Sequence, residues 1–288
     1  MTDAHFPLPA GPSEDRVTVI QPPKKWAALQ LRELWEHREL FWVFAWRDLK
    51  VRYKQTELGA AWAIIQPIAM MVVFSIVFGR LAGFSENTSG VPYPIFTFVA
   101  LLPWIYFAGT ISKAGNSLVD SSHLITKVYF PRLLIPLSSA VGGLVDLAIA
   151  FLVLVGMMLF YGTAPTWGVL ALPFFVLLAT AAALGVGLWL AALNVEYRDV
   201  RHVIPFLVQF WMYVSPVGYP ASIIPDRWQA LYALNPIVGV VEGFRWALLG
   251  TMPFPAWPLA VSSVVVLTLL VTGLFYFRRM ERTFADVV

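Results

Sequence analysis

Residues 133–160 read LLIPLSSAVGGLVDLAIAFLVLVGMMLF, 28 consecutive positions with one charge among them, Asp146. Wound as an α-helix rising about 1.5 Å per residue, the segment is longer than the roughly 30 Å hydrocarbon core of a bilayer. It predicts a transmembrane helix, and five further apolar runs agree. These are 59–79, interrupted only by Gln66-Pro67; 94–112, rich in aromatic side chains; 167–193, long enough to tilt; 203–219, the shortest; and 257–277. The fold expected is all-α, a polytopic membrane protein of six transmembrane helices. Composition points the same way: 59% of the 288 residues are hydrophobic and 13% charged, with mean hydropathy +0.71, where a soluble domain carries about 25% charged residues. Cysteine is absent, which excludes disulfides, thiolate chemistry and cysteine metal sites.

Residues 1–25 are polar and proline-rich, without the apolar stretch of a secretory signal, and read as a flexible tail. Residues 26–56 change character. Leu31, Leu34, Trp35, Trp42, Trp46, Leu49 and Tyr53 recur at helical spacing among charged residues. That is an amphipathic helix suited to the headgroup layer, with a soluble helix packed on a partner as the alternative. Residues 57–288 are expected to form one transmembrane domain.

Charge sets the topology. Nine basic residues precede the first span, Lys113, Lys127 and Arg132 follow the second, Arg198 and Arg201 follow the fourth, and Arg278, Arg279 and Arg282 follow the last. Only Arg80, Arg227 and Arg245 fall on the other side, a ratio of 17 to 3. The positive-inside bias then places both termini in the cytoplasm, as expected for a bacterial inner-membrane protein. The stretch 221–250 is apolar but carries Asn235-Pro236, Glu242 and Arg245. As a seventh span it would put the basic tail outside, so it reads as an outer re-entrant helical hairpin from about Trp228 to Gly250. Its broken backbone is tolerable only where protein or water surrounds it.

The chemistry argues for transport or scaffolding rather than for an intramembrane enzyme. No phosphate-cradling GxxxxGK[ST] is present, the four histidines (His5, His37, His123, His202) lie outside the spans, and no metal-ligand spacing occurs within them. Nothing points to a nucleic-acid partner; membrane lipids are the expected contact of the basic interface helix. Asp146 reads either as an ion site or, with no second charge nearby in its span, as a helix–helix pairing beside Gly142 and Gly143; the pairing is favoured. Glu242 and Arg245, three apart, form either a local ion pair or the outer mouth of a pathway. Aromatics make up 15% of the chain. An interfacial belt accounts for many, but Trp211 and Tyr213 fall mid-segment. Flat rings stack on sugar faces, and a row of weak contacts lets a polymer slide. The candidate channel residues are Trp62, Trp104, Tyr106, Phe107, Phe210, Trp211, Tyr213 and Tyr219.

Ordered motifs carry a family resemblance: LRELWEHREL at 31–40, RDLKVRYKQT at 47–56, Leu58-Gly59, Trp62 and Gln66-Pro67, VYFPR at 128–132, NVEYRDV at 194–200, Ser215-Pro216, and LNP at 234–236 with EGFR at 242–245. Together they resemble the ABC-type polysaccharide exporter permeases, membrane subunits that export lipid-linked O-antigen, capsule or teichoic acid. The resemblance implies a non-catalytic homodimer joined by two copies of a separate ATPase subunit. ATP and Mg would be bound there, with no cofactor in this chain. It implies that the lipid-linked glycan's head enters near Arg47, Lys50, Arg52 and Lys54. It also implies that loop 121–132, with Ser121, His123, Lys127, Phe130 and Arg132, couples to the ATPase, and that Asn235, Glu242 and Arg245 belong to an outer gate. A permease for a small amphiphile or drug, and a channel or carrier without an ATPase, stay open as alternatives.

Overall fold

The computed structural model describes residues 31–54, 61–125, 127, 129–281 and 284. Gln55, Thr56, Leu58, Gly59 and Val128 of the quoted motifs, residues 1–30, and Arg282 of the basic tail lie outside the described residues. Those described form helices and connections, with no strand among them.

The interface segment is two helices, α1 (Leu31–Glu36) and α2 (Arg38–Lys54), rather than one. α2 also has two apolar faces where the sequence suggests one. Phe44 and Ala45 are buried against the bundle, while Trp42 and Trp46, like Trp35 of α1, are left largely uncovered. The first span, α3 (Trp62–Phe74), runs straight through Pro67 and continues as a π-helical stretch to Leu81. α4 (Tyr93–Asp120) extends well past the predicted end at 112. Lys113, Asn116 and Ser117 weaken its hydropathy without stopping the helix, because Ser112, Asn116 and Ser117 bond back to carbonyls one turn earlier. A one-turn helix α5 (Ser122–Ile125) leads to α6 (Leu134–Tyr161), the segment quoted above. A 3₁₀ turn then starts α7 (Leu172–Glu196), followed by α8 (Val200–Val214), only 15 residues long. Residues 221–250 fold as helix, break, helix: α9 (Asp226–Ala233) and α10 (Val238–Leu249). α11 (Ala256–Met280) closes the bundle.

Five helices among the described residues are long and apolar enough to cross a membrane: 62–81, 93–120, 134–161, 167–196 and 256–280. α8 falls short of that length. α4 is the central pillar: 83% of its apolar window is buried, against 17% for the first span and 22% for α6 and for α11. It is apolar on nearly every side, as a helix enclosed by others must be. Helices of the bundle approach closely through small residues. A Cβ on Gly273 of α11 would stand 2.6 Å from the Gly185 carbonyl of α7. In hydrocarbon such small-residue contacts let van der Waals packing hold helices together where no water-driven term operates.

The break at Leu234–Ile237 shows how irregular backbone is kept inside the protein. Asn235 Oδ1 accepts from Trp211 Nε1 (2.8 Å) and from the Ile237 amide (3.3 Å), and its amide donates to Ser215 Oγ (3.0 Å). Buried Ser262 of α11 accepts from the Gly239 amide (3.2 Å), and its hydroxyl lies 3.1 and 3.2 Å from the Ala233 and Asn235 carbonyls. Groups that helix hydrogen bonds would satisfy are satisfied by side chains instead, the condition for non-helical backbone in an apolar setting.

Candidate functional site

A cavity of about 580 Å³ opens between α2, α3, α4, α6 and α8. Each helix supplies a different character. α3 gives Trp62 and Gln66, α4 gives Trp104, Tyr106, Ser112 and Lys113, α6 gives Gly143 and Asp146, α8 gives Gln209 and Met212, and α2 closes one end with Arg52 and Tyr53. The walls are aromatic and aliphatic with scattered amide and hydroxyl groups. One end is charged.

That end is built around Asp146. Its carboxylate pairs with the Arg52 guanidinium and accepts the Tyr53 hydroxyl. Arg52 Nη1 also donates to the Gly142 carbonyl (3.2 Å). Burial, then the bond to Asp146, pushes the Tyr53 hydroxyl up to about 12, so it stays a donor at neutral pH. Asp146 is therefore a pairing residue, as its sequence context favours. Its partner comes from the interface helix, some 90 positions away, and not from another span. A Cβ on Gly142 would stand at ordinary contact distance, 3.8 Å, from both Arg52 Nη1 and Lys113 Nζ. A Cβ on Gly143 would stand 2.9 Å from the Tyr106 ring.

Of the eight candidate channel aromatics, Trp62, Trp104 and Tyr106 line this cavity. Trp62 is half exposed at its mouth; Trp104 and Tyr106 are buried, with the Tyr106 hydroxyl bonded to Thr180 Oγ1 (2.7 Å). Phe107 and Trp211 stand behind them, edge to face at 5.2 Å, with Trp211 tied to Asn235. Phe210 and Tyr213 are exposed and do not line the cavity. Tyr219 lies by the hairpin, donating to the Tyr213 carbonyl (3.1 Å) and accepting from Tyr232 (3.2 Å).

The four entrance cations divide. Arg47 pairs with its neighbour Asp48 (2.9 Å), Lys50 sits over the Trp46 ring (5.6 Å), and Lys54 is exposed, while Arg52 turns inward to the cavity. In loop 121–132, Ser121 is buried, His123 lies in α5, and Lys127 is exposed. Phe130 packs on Phe44 of α2 (5.3 Å), and Arg132 bonds to Glu281 at the end of α11, through its amide to the carboxylate (2.9 Å) and through its guanidinium to the carbonyl. The loop is thereby tied to both α2 and α11. Glu242 and Arg245 do form an ion pair (2.8 Å), but Arg245 does more than pair locally. It is wholly buried, lies 3.7 Å from the Phe96 ring centre, and donates to the Val217 and Tyr219 carbonyls (3.1 and 3.2 Å), pinning the loop after α8. Tyr93 pins the same loop through the Gly218 carbonyl.

Sequence reasoning missed Lys113, placed in a loop but carried by α4, and the link from Arg52 to Asp146. Gln66 and Gln209 were the available signal for the cavity: uncharged polar residues in apolar segments point toward protein or water rather than lipid.

The ABC-2 type transporter family pattern matches residues 39–249, from α2 to the end of α10. The chain belongs to this family. Among its relatives, the O-antigen export system permease protein RfbA of Myxococcus xanthus is 31% identical over 260 residues, covering 90% of this chain and 98% of that one. The protein of the same name from Klebsiella pneumoniae is 25% identical over 255 residues (87% and 95%). The polysialic acid transport protein KpsM of Escherichia coli is 23% identical over 241 residues (82% and 91%). The ABC-2 transporter match takes in all the cavity-lining helices and stops short of α11, whose contribution is the packing on α7 and the anchoring of the hairpin. The chain is a multi-pass membrane protein.

Proposed function

We propose that this chain is the transmembrane subunit of an ATP-driven exporter that moves a lipid-linked polysaccharide, O-antigen-like in kind, across the bacterial inner membrane. It works as a homodimer with two copies of a separate ATPase subunit, both termini cytoplasmic. α8 with its flanking loops serves as the sixth span, and α9–α10 dips in from the outer face. The observation that carries the reading is a cavity with aromatic walls, neutral polar groups and one cationic end, in a chain similar along nearly its whole length to O-antigen permeases. Trp62 offers a ring face to sugars, Trp104 and Tyr106 would do so as the helices part, and Gln66, Gln209 and Ser112 would exchange hydrogen bonds with hydroxyls. Such contacts are weak enough individually to release. Six helices enclose little space alone, and a two-fold pair encloses more.

ATP-driven movement of loop 121–132 would reach α2 through Phe130–Phe44 and α11 through Arg132–Glu281, parting the helices around the cavity. Purification of the tagged chain tests the reading: an ATPase subunit co-purifies, and inverted vesicles take up glycan only with hydrolysable ATP. Uptake in ATP-free vesicles would favour a carrier instead.

A further inference from the structure

A second cavity, of about 400 Å³, opens beside the hairpin and shares no lining residue with the first. It lies where α9, α10, the loop after α8 and the loop into α11 meet, and its size suits a small ligand. Its polar groups are acceptors. The Glu242 carboxylate takes one contact from Arg245, and a carboxylate has room for several. Gln229 spends its amide hydrogens on Asp226 Oδ1 (2.8 Å) and the Ile224 carbonyl (3.4 Å), which leaves it a carbonyl oxygen to offer. Tyr232 donates its proton to Tyr219, which leaves the lone pairs of its own oxygen. Among the described residues no Lys, Arg or His lines this cavity, and Arg245 directs its guanidinium to Glu242, two carbonyls and the Phe96 ring. A ligand here must bring hydrogen-bond donors and no negative charge.

Apolar surface completes the lining. Phe254 is half exposed at the rim, where Trp246 meets it edge-on (4.9 Å), and a ring so placed can stack on the C–H face of a sugar. Four prolines stiffen the walls, so little order is lost on binding. Ser89 joins from the turn before α4. Its φ of 54° is the one left-handed value at a non-glycine position among the described residues, and the Thr88 hydroxyl beside it lies against the Ser85 and Val91 carbonyls (3.0 and 2.6 Å). Backbone held in this region collects at binding sites. We infer that this cavity is a second carbohydrate site, which takes a neutral, hydroxyl-rich sugar unit of the emerging polymer and rejects acidic ones. The inference rests on the hairpin facing outward and on glycan being the cargo, as proposed above, and it adds the class of glycan. Sugar hydroxyls donate to Glu242, Gln229 and Tyr232, whereas a sugar carboxylate would meet the Glu242 carboxylate and no cation.

The test uses the full chain in phosphatidylcholine nanodiscs and saturation-transfer NMR titrations, with empty nanodiscs as the blank. The probes are neutral trisaccharides of mannose, galactose, glucose and rhamnose, set against trigalacturonate. At least one neutral probe is expected to bind about tenfold or more tightly than trigalacturonate, the contrast of a donor-rich ligand with a repelled anion. Phe254→Ala weakens that binding roughly five- to tenfold, as expected for one aromatic contact. Ser222→Trp, which fills the cavity from an exposed position, abolishes it. Gln229→Lys supplies a cation and is expected to bring trigalacturonate to within about threefold of the neutral probe. Failure of all four neutral probes to bind, or binding unmoved by both Phe254→Ala and Ser222→Trp, overturns the site. Trigalacturonate bound as tightly as the neutral probes by the wild type, or selectivity unmoved in Gln229→Lys, overturns the neutral class. Binding at this cavity in a protein whose deletion leaves surface polysaccharide intact keeps the site and refutes the export reading. Loss of surface polysaccharide on deletion, with no binding here, does the reverse.

Discussion

Replacing Arg245 by methionine removes a side chain that ties α10, α4 and the loop after α8 together. The guanidinium is wholly buried, and its partner Glu242 is 12% exposed at the side chain. Removing one member of a buried pair strands the other, at a cost of about 3–5 kcal/mol. The Val217 and Tyr219 carbonyls lose a donor as well, at about 1–3 kcal/mol each if no water reaches them, and the Phe96 contact adds about 2 kcal/mol when desolvated. These losses overlap and do not add, so about 4 kcal/mol is the working figure. For a chain of this size that is a fall of roughly 10 °C in thermal midpoint, read by intrinsic fluorescence of the detergent-solubilised protein at a fixed scan rate. The double variant Arg245→Met with Glu242→Gln no longer buries an unpaired carboxylate and is expected to recover about half of the loss. A single variant within 2 °C of the wild type, or a double variant no better than the single, would refute the pinning role.

Other expectations follow from the packing and the cavity. Trp104→Ala lowers glycan export several-fold with little change in thermal midpoint, whereas Trp211→Ala, which strands Asn235 at the hairpin break, lowers the midpoint first; paired export and unfolding assays separate the two. Gly273→Val drives a side chain into the Gly185 carbonyl and costs about 1–3 kcal/mol or blocks folding, visible as a broadened size-exclusion profile. Glu281→Ala removes the carboxylate shared by the Arg132 amide and the Arg278 guanidinium; export per ATP hydrolysed falls while hydrolysis by the complex persists. Tyr53 carries a raised folded-state value, so its contribution is intact below pH 10 and is lost as pH rises through about 12. Tyr53→Phe is expected to show a smaller fall in thermal midpoint between pH 9 and pH 11 than the wild type.

The spans with few charges were legible because hydropathy and length alone decide them: α6 and α11 lie within a few residues of the runs 133–160 and 257–277. So was the break between α9 and α10, since the Asn235-Pro236 pair disfavours helix at that point. α4 was drawn short because Lys113, Asn116 and Ser117 end an apolar run without ending the helix they sit on. The Arg52–Asp146 pair was out of reach, joining residues 94 apart that no local period connects. Arg245 was counted as a charge beside the outer loops, yet it is wholly buried, because carbonyls and an aromatic face replace the water it gives up. The aromatics were the hardest to sort. Trp104 and Trp211 look alike in sequence, and only packing shows that one lines the cavity while the other holds the hairpin.

The most direct test follows newly made glycan in a strain lacking this chain. Pulse-labelled lipid-linked polysaccharide is expected to accumulate on the cytoplasmic side and vanish from the cell surface. The wild-type gene restores export, and fails to do so when the partner ATPase is catalytically dead. Surface glycan appearing at the normal rate without this chain, or export restored beside a dead ATPase, would contradict the account.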